Sequence, residues 1–387
     1  MSIAGPVERD RPVAELEERV TPLELFFDLV FVFAITQVTT LMSNDPTWRG
    51  LGQGLLVLAA LWWAWAAYSW LTNEIDTDRE TARLALFGVM GAMLIAALAV
   101  PHAFGDDGVL FGVAYLVVRV MHLIVFAESS REVSAAQAMR RLSATAVPAP
   151  VLLVVAGFLD GTAQAALWVI ALSIDLAGPY VRGVEGFRVS AGYFAERFGL
   201  IVIIALGESI VAVGVGVSGA ELGVGEVIAA LLGIAVAAAL WWSYFDVVAV
   251  VAERRFREAR DLAQVKIARD SYSYLHLPMI AGIILLALGM KKTLGHVEDP
   301  LTTVPAVALC GGVALYYGGH IGFRLRNVGT LNRQRLVAAL LLVAAIPLAS
   351  EIDAIFALAL VAAVCATLVT YEVFHFRDAR ARMRAAG

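Results

Sequence analysis

The sequence predicts an all-α polytopic membrane protein: twelve transmembrane helices as two parallel six-helix repeats, both termini cytoplasmic. Three observations carry this expectation. The 387 residues are 60% hydrophobic and only 16% charged, against about 25% charged in a soluble domain. The charges lie in short segments between apolar runs of about 20 residues, enough to cross a bilayer. The basic residues, finally, alternate sides from one loop to the next. In such a chain a net charge of −5 says little about partners. No basic stretch with interleaved aromatics points to nucleic acid. Cys310 and Cys365 fall in apolar runs and are too few for a disulfide framework or a zinc site. Residues 1–20 are charged and lack the apolar core of a cleavable signal peptide.

Taken in order, the spans are read at 22–42, 50–71, 83–102, 108–128, 141–158, 162–180, 198–217, 225–251, 271–290, 302–323, 334–350 and 354–375. Asp160 and Gly161 separate the fifth from the sixth, and Pro148 and Pro150 are expected to kink the fifth. Orientation follows from lysines and arginines in short loops. Of the 29 such residues, 25 fall on the side shared by the two termini. Arg49, Lys291 and Lys292 fall on the other, and Arg119 lies within a span. A miscounted span would scramble this alternation. The expected location is therefore the bacterial cytoplasmic membrane, multi-pass, with both ends inside.

The two halves resemble each other. Residues 27–37 align without gaps on 198–208, placing Gln37 against Glu208. Trp62 and Trp63 in span two have counterparts in Trp241 and Trp242 of span eight. Spans four and ten end near His122 and His320, and spans five and eleven begin with Arg141-Leu142 and Arg335-Leu336. A six-plus-six duplication gives parallel repeats about an axis along the membrane normal. The chain then divides into a cytoplasmic segment (1–20), a first repeat (21–180), a linker (181–197), a second repeat (198–375) and a tail (376–387).

Ionisable residues inside the spans are the candidates for function, because each costs roughly 2.5–3.5 kcal/mol or more at membrane depth. Glu24 and Asp28 are spaced i, i+4 on one face of span one. Glu208 lies about ten residues into span seven, near the bilayer centre at ~1.5 Å per residue. Arg119 and His122 share a face of span four, at a depth close to that of Asp28. The expectation is a buried Asp28–Arg119 pair, read either as a helix brace or as part of a transport path. Asp175, Asp246, His276 and His320 gather in the inner half and suggest a cytoplasm-facing vestibule leading to Glu208. The alternative for them is a structural role at span ends. Glu208 has no basic residue in its own span. It is read either as a protonated carboxyl donating to a backbone carbonyl or as a titrating or ion-coordinating group. The tryptophans are read as packing and interface anchors. No P-loop and no Gly-x-Ser-x-Gly occurs; the spacing of His102, His122, His276 and His320 does not argue for a haem or metal site, and the sequence leaves the cofactor open.

Two resemblances add to this. Residues 24–36, Glu-Leu-Phe-Phe-Asp-Leu-Val-Phe-Val-Phe-Ala-Ile-Thr, and 196–209, Glu-Arg-Phe-Gly-Leu-Ile-Val-Ile-Ile-Ala-Leu-Gly-Glu-Ser, resemble the bacterial low-temperature-requirement A family across roughly residues 18–375. That resemblance implies a membrane protein required for growth in the cold, without a defined reaction. Residues 27–36 are also similar to the Phe-Ser-Asp signature of the potassium channels built from six-helix repeats. It implies that Asp28 holds the helix bundle and that span one lines a path. The sequence departs from the signature at the serine, where Phe26 or Phe27 stands, and it has no aspartate at Phe198-Gly199-Leu200.

The leading expectation is transport of an ion or small solute between the repeats, with Glu208 at its centre and Asp28 and Arg119 as gate or brace. The alternatives are an intramembrane enzyme acting on a lipid or isoprenoid, with the inner acids and histidines as acid/base groups, and a substrate-free sensor or assembly factor. The partners expected are the lipid bilayer and the solute.

Overall fold

A computed structural model describes residues 20–375 and 377, apart from 76, 78, 130–132 and 217–222. The charged N-terminal segment, Val20 excepted, and the tail, Arg377 excepted, lie outside the described residues. Within them the fold is all helix, with one isolated bridge between Pro300 and Asp353. The helices are α1 (Pro22–Asn44), α2 (Trp48–Glu74), α3 (Glu80–Ala99), α4 (Gly108–Ser129), α5 (Val133–Ala146), α6 (Pro148–Ala156), α7 (Gly161–Val181), α8 (Ala191–Gly216) and α9 (Val224–Phe245). There follow α10 (Val248–Glu258), α11 (Asp261–Ile267), α12 (His276–Gly295), the single turn α13 (Thr303–Ala306), α14 (Gly312–Val328), α15 (Arg333–Ala349) and α16 (Ala354–His375).

Eleven helical stretches among the described residues are long and apolar enough to cross a membrane. They correspond to every expected span but the eleventh, α15, which has 17 residues. Lengths follow from local chemistry. α1 starts at a capping box: Thr21 Oγ1 accepts from the Glu24 amide and Glu24 Oε2 accepts from the Thr21 amide, with Pro22 in the first turn, where its missing N–H is no loss. Its 23 residues extend about 35 Å at 1.5 Å per residue, more than a ~30 Å hydrocarbon core. The fifth span is interrupted at Val147, just before Pro148, where proline removes a ladder hydrogen bond. The ninth and tenth spans each contain a wide π-helical turn, Ala268–Tyr274 and Val307–Gly311.

Packing is sequential within each half. α1 lies against α2 and α3, α3 against α4, α4 against α6, α6 against α7, and α2 against α7. In the second half α8 lies against α9 and α12, α12 against α14, α14 against α15, α15 against α16, and α9 against α16. The halves meet where α1 and α2 touch α8 and α12. Many large apolar side chains point outward, among them Phe26, Leu29, Leu84, Leu231 and Leu340. Water would penalise that surface and lipid tails accept it.

With lipid outside, no hydrophobic force drives helices together, and small residues let backbones approach. Gly282 on α12 meets Gly312 on α14 so closely that a Cβ at 282 would sit 2.5 Å from the Gly312 carbonyl oxygen. Gly282→Leu is therefore expected to destabilise the protein by about 1–3 kcal/mol through overpacking, read as a lower thermal midpoint in detergent.

Candidate functional site

Among the described residues, polar side chains cluster at several places inside the helix bundle, and the first cluster joins the two halves. Asp28 Oδ1 accepts from Trp65 Nε1 on α2 at 2.9 Å and from Arg197 Nη2 on α8 at 3.0 Å. All three side chains are buried, and the Arg197 guanidinium lies 5.8 Å from the centre of the Trp65 ring. One turn earlier, Glu24 Oε1 accepts from the Tyr193 hydroxyl at 2.7 Å, and that hydroxyl meets Thr72 Oγ1 at 2.5 Å. The expected Asp28–Arg119 pair does not exist. Asp28 pairs with Arg197, and Arg119 pairs with Asp175 at 2.8 Å. The reason is where α8 begins. It starts at Ala191, so Arg197 is not a loop residue at the edge of span seven but sits two turns inside the helix, at the level of Asp28.

The π-helical turn at 268–274 ties the same region together. A wide turn displaces its carbonyls from the ordinary ladder. The Ser273 carbonyl is thereby available to Trp62 Nε1 at 2.8 Å, while Ser273 Oγ accepts from Trp70 Nε1 at 2.9 Å. His276 is held by the Tyr244 hydroxyl at 2.8 Å and the Ser271 carbonyl at 2.9 Å. The tryptophans of span two are thus hydrogen-bonded anchors in the core.

The second cluster surrounds Glu208 on α8, which is buried. Its Oε2 lies 2.6 Å from Thr36 Oγ1 on α1. The hydroxyl that reaches it belongs to the residue before Gln37, the position that the repeat alignment places opposite. No arginine or lysine among the described residues lies within ion-pair distance, and Lys291 on α12 acts on it only through space. Thr36 Oγ1 also lies 3.2 Å from the Val32 carbonyl. A hydroxyl has one proton to donate. With Glu208 ionised, Thr36 donates to the carboxylate. With Glu208 protonated, the carboxyl donates to Thr36 and the threonine proton turns to Val32.

The third cluster is in the second half. Arg335 grips Glu372 with two parallel bonds, Nε to Oε1 and Nη2 to Oε2, both 2.9 Å. Its Nη1 donates to His320 Nδ1 at 2.6 Å and its Nη2 to the Ser243 carbonyl at 2.9 Å. Glu372 sits near the end of α16 and carried no signal of this role in the sequence.

The inner-half candidates are dispersed. Asp175 lies with Arg119 and His122 in a cavity of the first half, and His122 Nε2 donates to the Ala67 carbonyl at 3.0 Å. Asp246, at the end of α9, lies with Arg335 and Glu372 in a cavity of the second half. His276 and His320 are buried in hydrogen-bonded packing. Among the described residues no three His, Cys, Asp or Glu side chains cluster as metal ligands.

A buried pair is costly to break, because the survivor is left as an unpaired charge: about 3–5 kcal/mol for one partner removed. Arg197→Gln is expected to destabilise by that amount. Double-mutant cycles should show strong coupling between Asp28→Asn and Arg197→Gln, and coupling near zero between Asp28→Asn and Arg119→Gln. Equal couplings would contradict the pairing.

The family model described as "Bacterial low temperature requirement A protein (LtrA)" matches residues 19–370. An uncharacterized protein of Rhizobium meliloti (strain 1021) is 32% identical over 308 residues, covering 76% of this chain and 75% of that protein. The match takes in the residues of these polar clusters except Glu372, and the chain belongs to the bacterial low temperature requirement A family of membrane proteins.

Proposed function

We propose that the protein carries an ion or small solute across the bacterial cytoplasmic membrane, along a path between two six-helix repeats, with Glu208 as the titrating or coordinating group. The observation that carries this reading is the contrast between buried acids. Asp28 and Asp175 each face a guanidinium at 3.0 Å or less, whereas Glu208, equally buried, meets a threonine hydroxyl at the contact of α1 with α8. An acid inside a membrane without a counter-ion is retained where it binds a cation or a proton. The Thr36 hydroxyl, with acceptors on both sides, supplies the partner that each protonation state of Glu208 needs.

The repeat and the topology belong to the same proposal. The packing order α1, α2, α3, α4, α5–α6, α7 recurs as α8, α9, α12, α14, α15, α16. In both halves the first helix lies against the second and third, and the second against the sixth. α15 serves as the eleventh of twelve spans. At about 25 Å it is shorter than the hydrocarbon core, a mismatch that local thinning of the bilayer absorbs. The 25 basic residues on one side favour both termini in the cytoplasm. Asp28 and Arg197 brace the first helices of the two repeats. Because Asp28 and Asp175 are held by guanidinium groups, they are poor general bases, which favours transport over lipid chemistry. An acid without a counter-ion equally disfavours a substrate-free sensor.

Reconstituted protein is expected to raise K⁺, Na⁺ or H⁺ flux above that of empty liposomes. Glu208→Gln should abolish that flux or its pH dependence, and Thr36→Val should keep the fold while shifting the pH profile. Equal flux with and without protein would overturn the ion reading, and full activity of Glu208→Gln would remove this residue from the mechanism.

A further inference from the structure

The two halves each enclose a cavity away from the α1–α8 contact, and the cavities are built alike. The first lies between α2, α4, α5 and α7, and holds Trp63, Arg119, His122 and Asp175. The second lies between α9, α14, α15 and α16, and holds Trp242, Asp246, Arg335 and Glu372, with His320 behind Arg335. Trp63 and Trp242 are the equivalent positions of the two tryptophan pairs. In each half a buried arginine pairs with an acid from the last helix, near a histidine of the fourth.

They differ in how the guanidinium is satisfied. Around Arg335 the chain supplies an acceptor for every nitrogen: both Glu372 oxygens, the Ser243 carbonyl and His320 Nδ1. Around Arg119 it supplies one, Asp175 Oδ1 to Nη2. Arg119 Nε and Nη1 are buried with no partner, and so is His122 Nδ1. Arg119 is only 3% exposed, and buried polar groups without partners are rare enough to require a reason. Because His122 Nε2 faces a carbonyl, which only accepts, the ring proton is on Nε2 and Nδ1 is an acceptor. Asp175 Oδ2 is likewise buried without a partner, so the cavity wall presents two donors, on Arg119, and two acceptors, His122 Nδ1 and Asp175 Oδ2. Its volume is about 80 Å³, room for about two or three waters at ~30 Å³ each or a solute of a few heavy atoms. Trp63, Trp70 and Phe187 supply apolar walls.

Charge selects further. Arg119 and Asp175 cancel. Arg269, which lines the cavity, shares the single carboxylate of Asp270 with Arg326, which lies outside the lining, at 2.7 and 2.8 Å; that group carries one positive charge over. We propose that the first-half cavity binds a small hydroxyl-bearing oxyanion, such as a short 2-hydroxy acid or bicarbonate. Its acceptor oxygens take up Arg119 Nε and Nη1, and its hydroxyl donates to His122 Nδ1. In the second half, Ser243 and His320 occupy the guanidinium in place of a ligand.

The test uses the full-length protein in detergent, with intrinsic tryptophan fluorescence and thermal midpoint followed at constant ionic strength. The probes are sodium glycolate, bicarbonate, acetate and chloride. Glycolate or bicarbonate is expected to give a saturable response in both readouts, acetate one at least tenfold weaker, and chloride none. His122→Ala should bring glycolate to the acetate level. Arg119→Lys should raise its Kd at least tenfold, Ala66→Leu should abolish binding by filling the cavity, and Arg335→Lys should leave the affinity unchanged. If Arg119→Lys does not fold, Ala66→Leu and the order of the anions on the wild-type protein decide. No saturable response to any anion, equal responses to all of them, or wild-type affinity in folded Ala66→Leu would overturn the proposal. Because binding is read without flux, its failure is distinguishable from failure of the Glu208 reading.

Discussion

The contact on which the bundle depends is a single oxygen, Asp28 Oδ1, shared by Trp65 and Arg197. A charge held away from water in a low-dielectric interior must be matched by an opposite charge and by hydrogen bonds, or it is not retained. Here that requirement fixes three helices at once. Asp28 is on α1, Trp65 on α2 and Arg197 on α8, so a local demand for neutrality sets the contact between the halves. The aromatic rings complete the fixture. Phe198, next to Arg197, lies against Trp62, Trp65, Phe194, Tyr272 and His276, and rings in such number turn only if several helices move together.

The rest of the polar interior can be ordered by how far its demands are met. Arg335 has a complete set of acceptors and acts as a closed brace. Asp28 has two donors on one oxygen. Arg119 and Arg197 each have a single carboxylate oxygen for a group with five donors, with Nε and Nη1 buried and unpartnered in both. Glu208 has a hydroxyl and no cation. Function is expected at the incompletely matched end of this series. Retaining an unmatched polar group inside a membrane destabilises the fold, and something else must offset it. Glu208 lies at the junction of the halves and Arg119 within one of them, so the two sites are spatially distinct.

Much of the fold was legible in the sequence. The apolar runs at 22–42, 83–102, 108–128 and 354–375 became helices with nearly those bounds, and Pro148 marked the break between α5 and α6. The deep acids and Arg119 stood out because charge inside an apolar run is conspicuous. Their partners did not. Arg197 stood at the edge of a run judged to begin at 198, and only the early start of α8 moved it inside. Glu372 read as part of a chain end. The π-helical turns that free the Ser271 and Ser273 carbonyls left no pattern at all, because helical periodicity reports which residues share a face and not how a ladder shifts by one residue.

By itself, then, the sequence determined the class of the fold, the spans and the residues that need partners. Each of these follows from local quantities: run length against bilayer thickness, and the desolvation of one charge. The tertiary structure decided which partner each residue received. Asp28 and Arg197 are 169 positions apart, and Thr36 and Glu208 172. Whether such groups meet depends on the rotation and depth of each helix, set by close approaches such as Gly282 with Gly312. The sequence offered Arg119 for Asp28; the packing of α8 on α1 placed Arg197 within 3.0 Å of it instead and left Arg119 to Asp175.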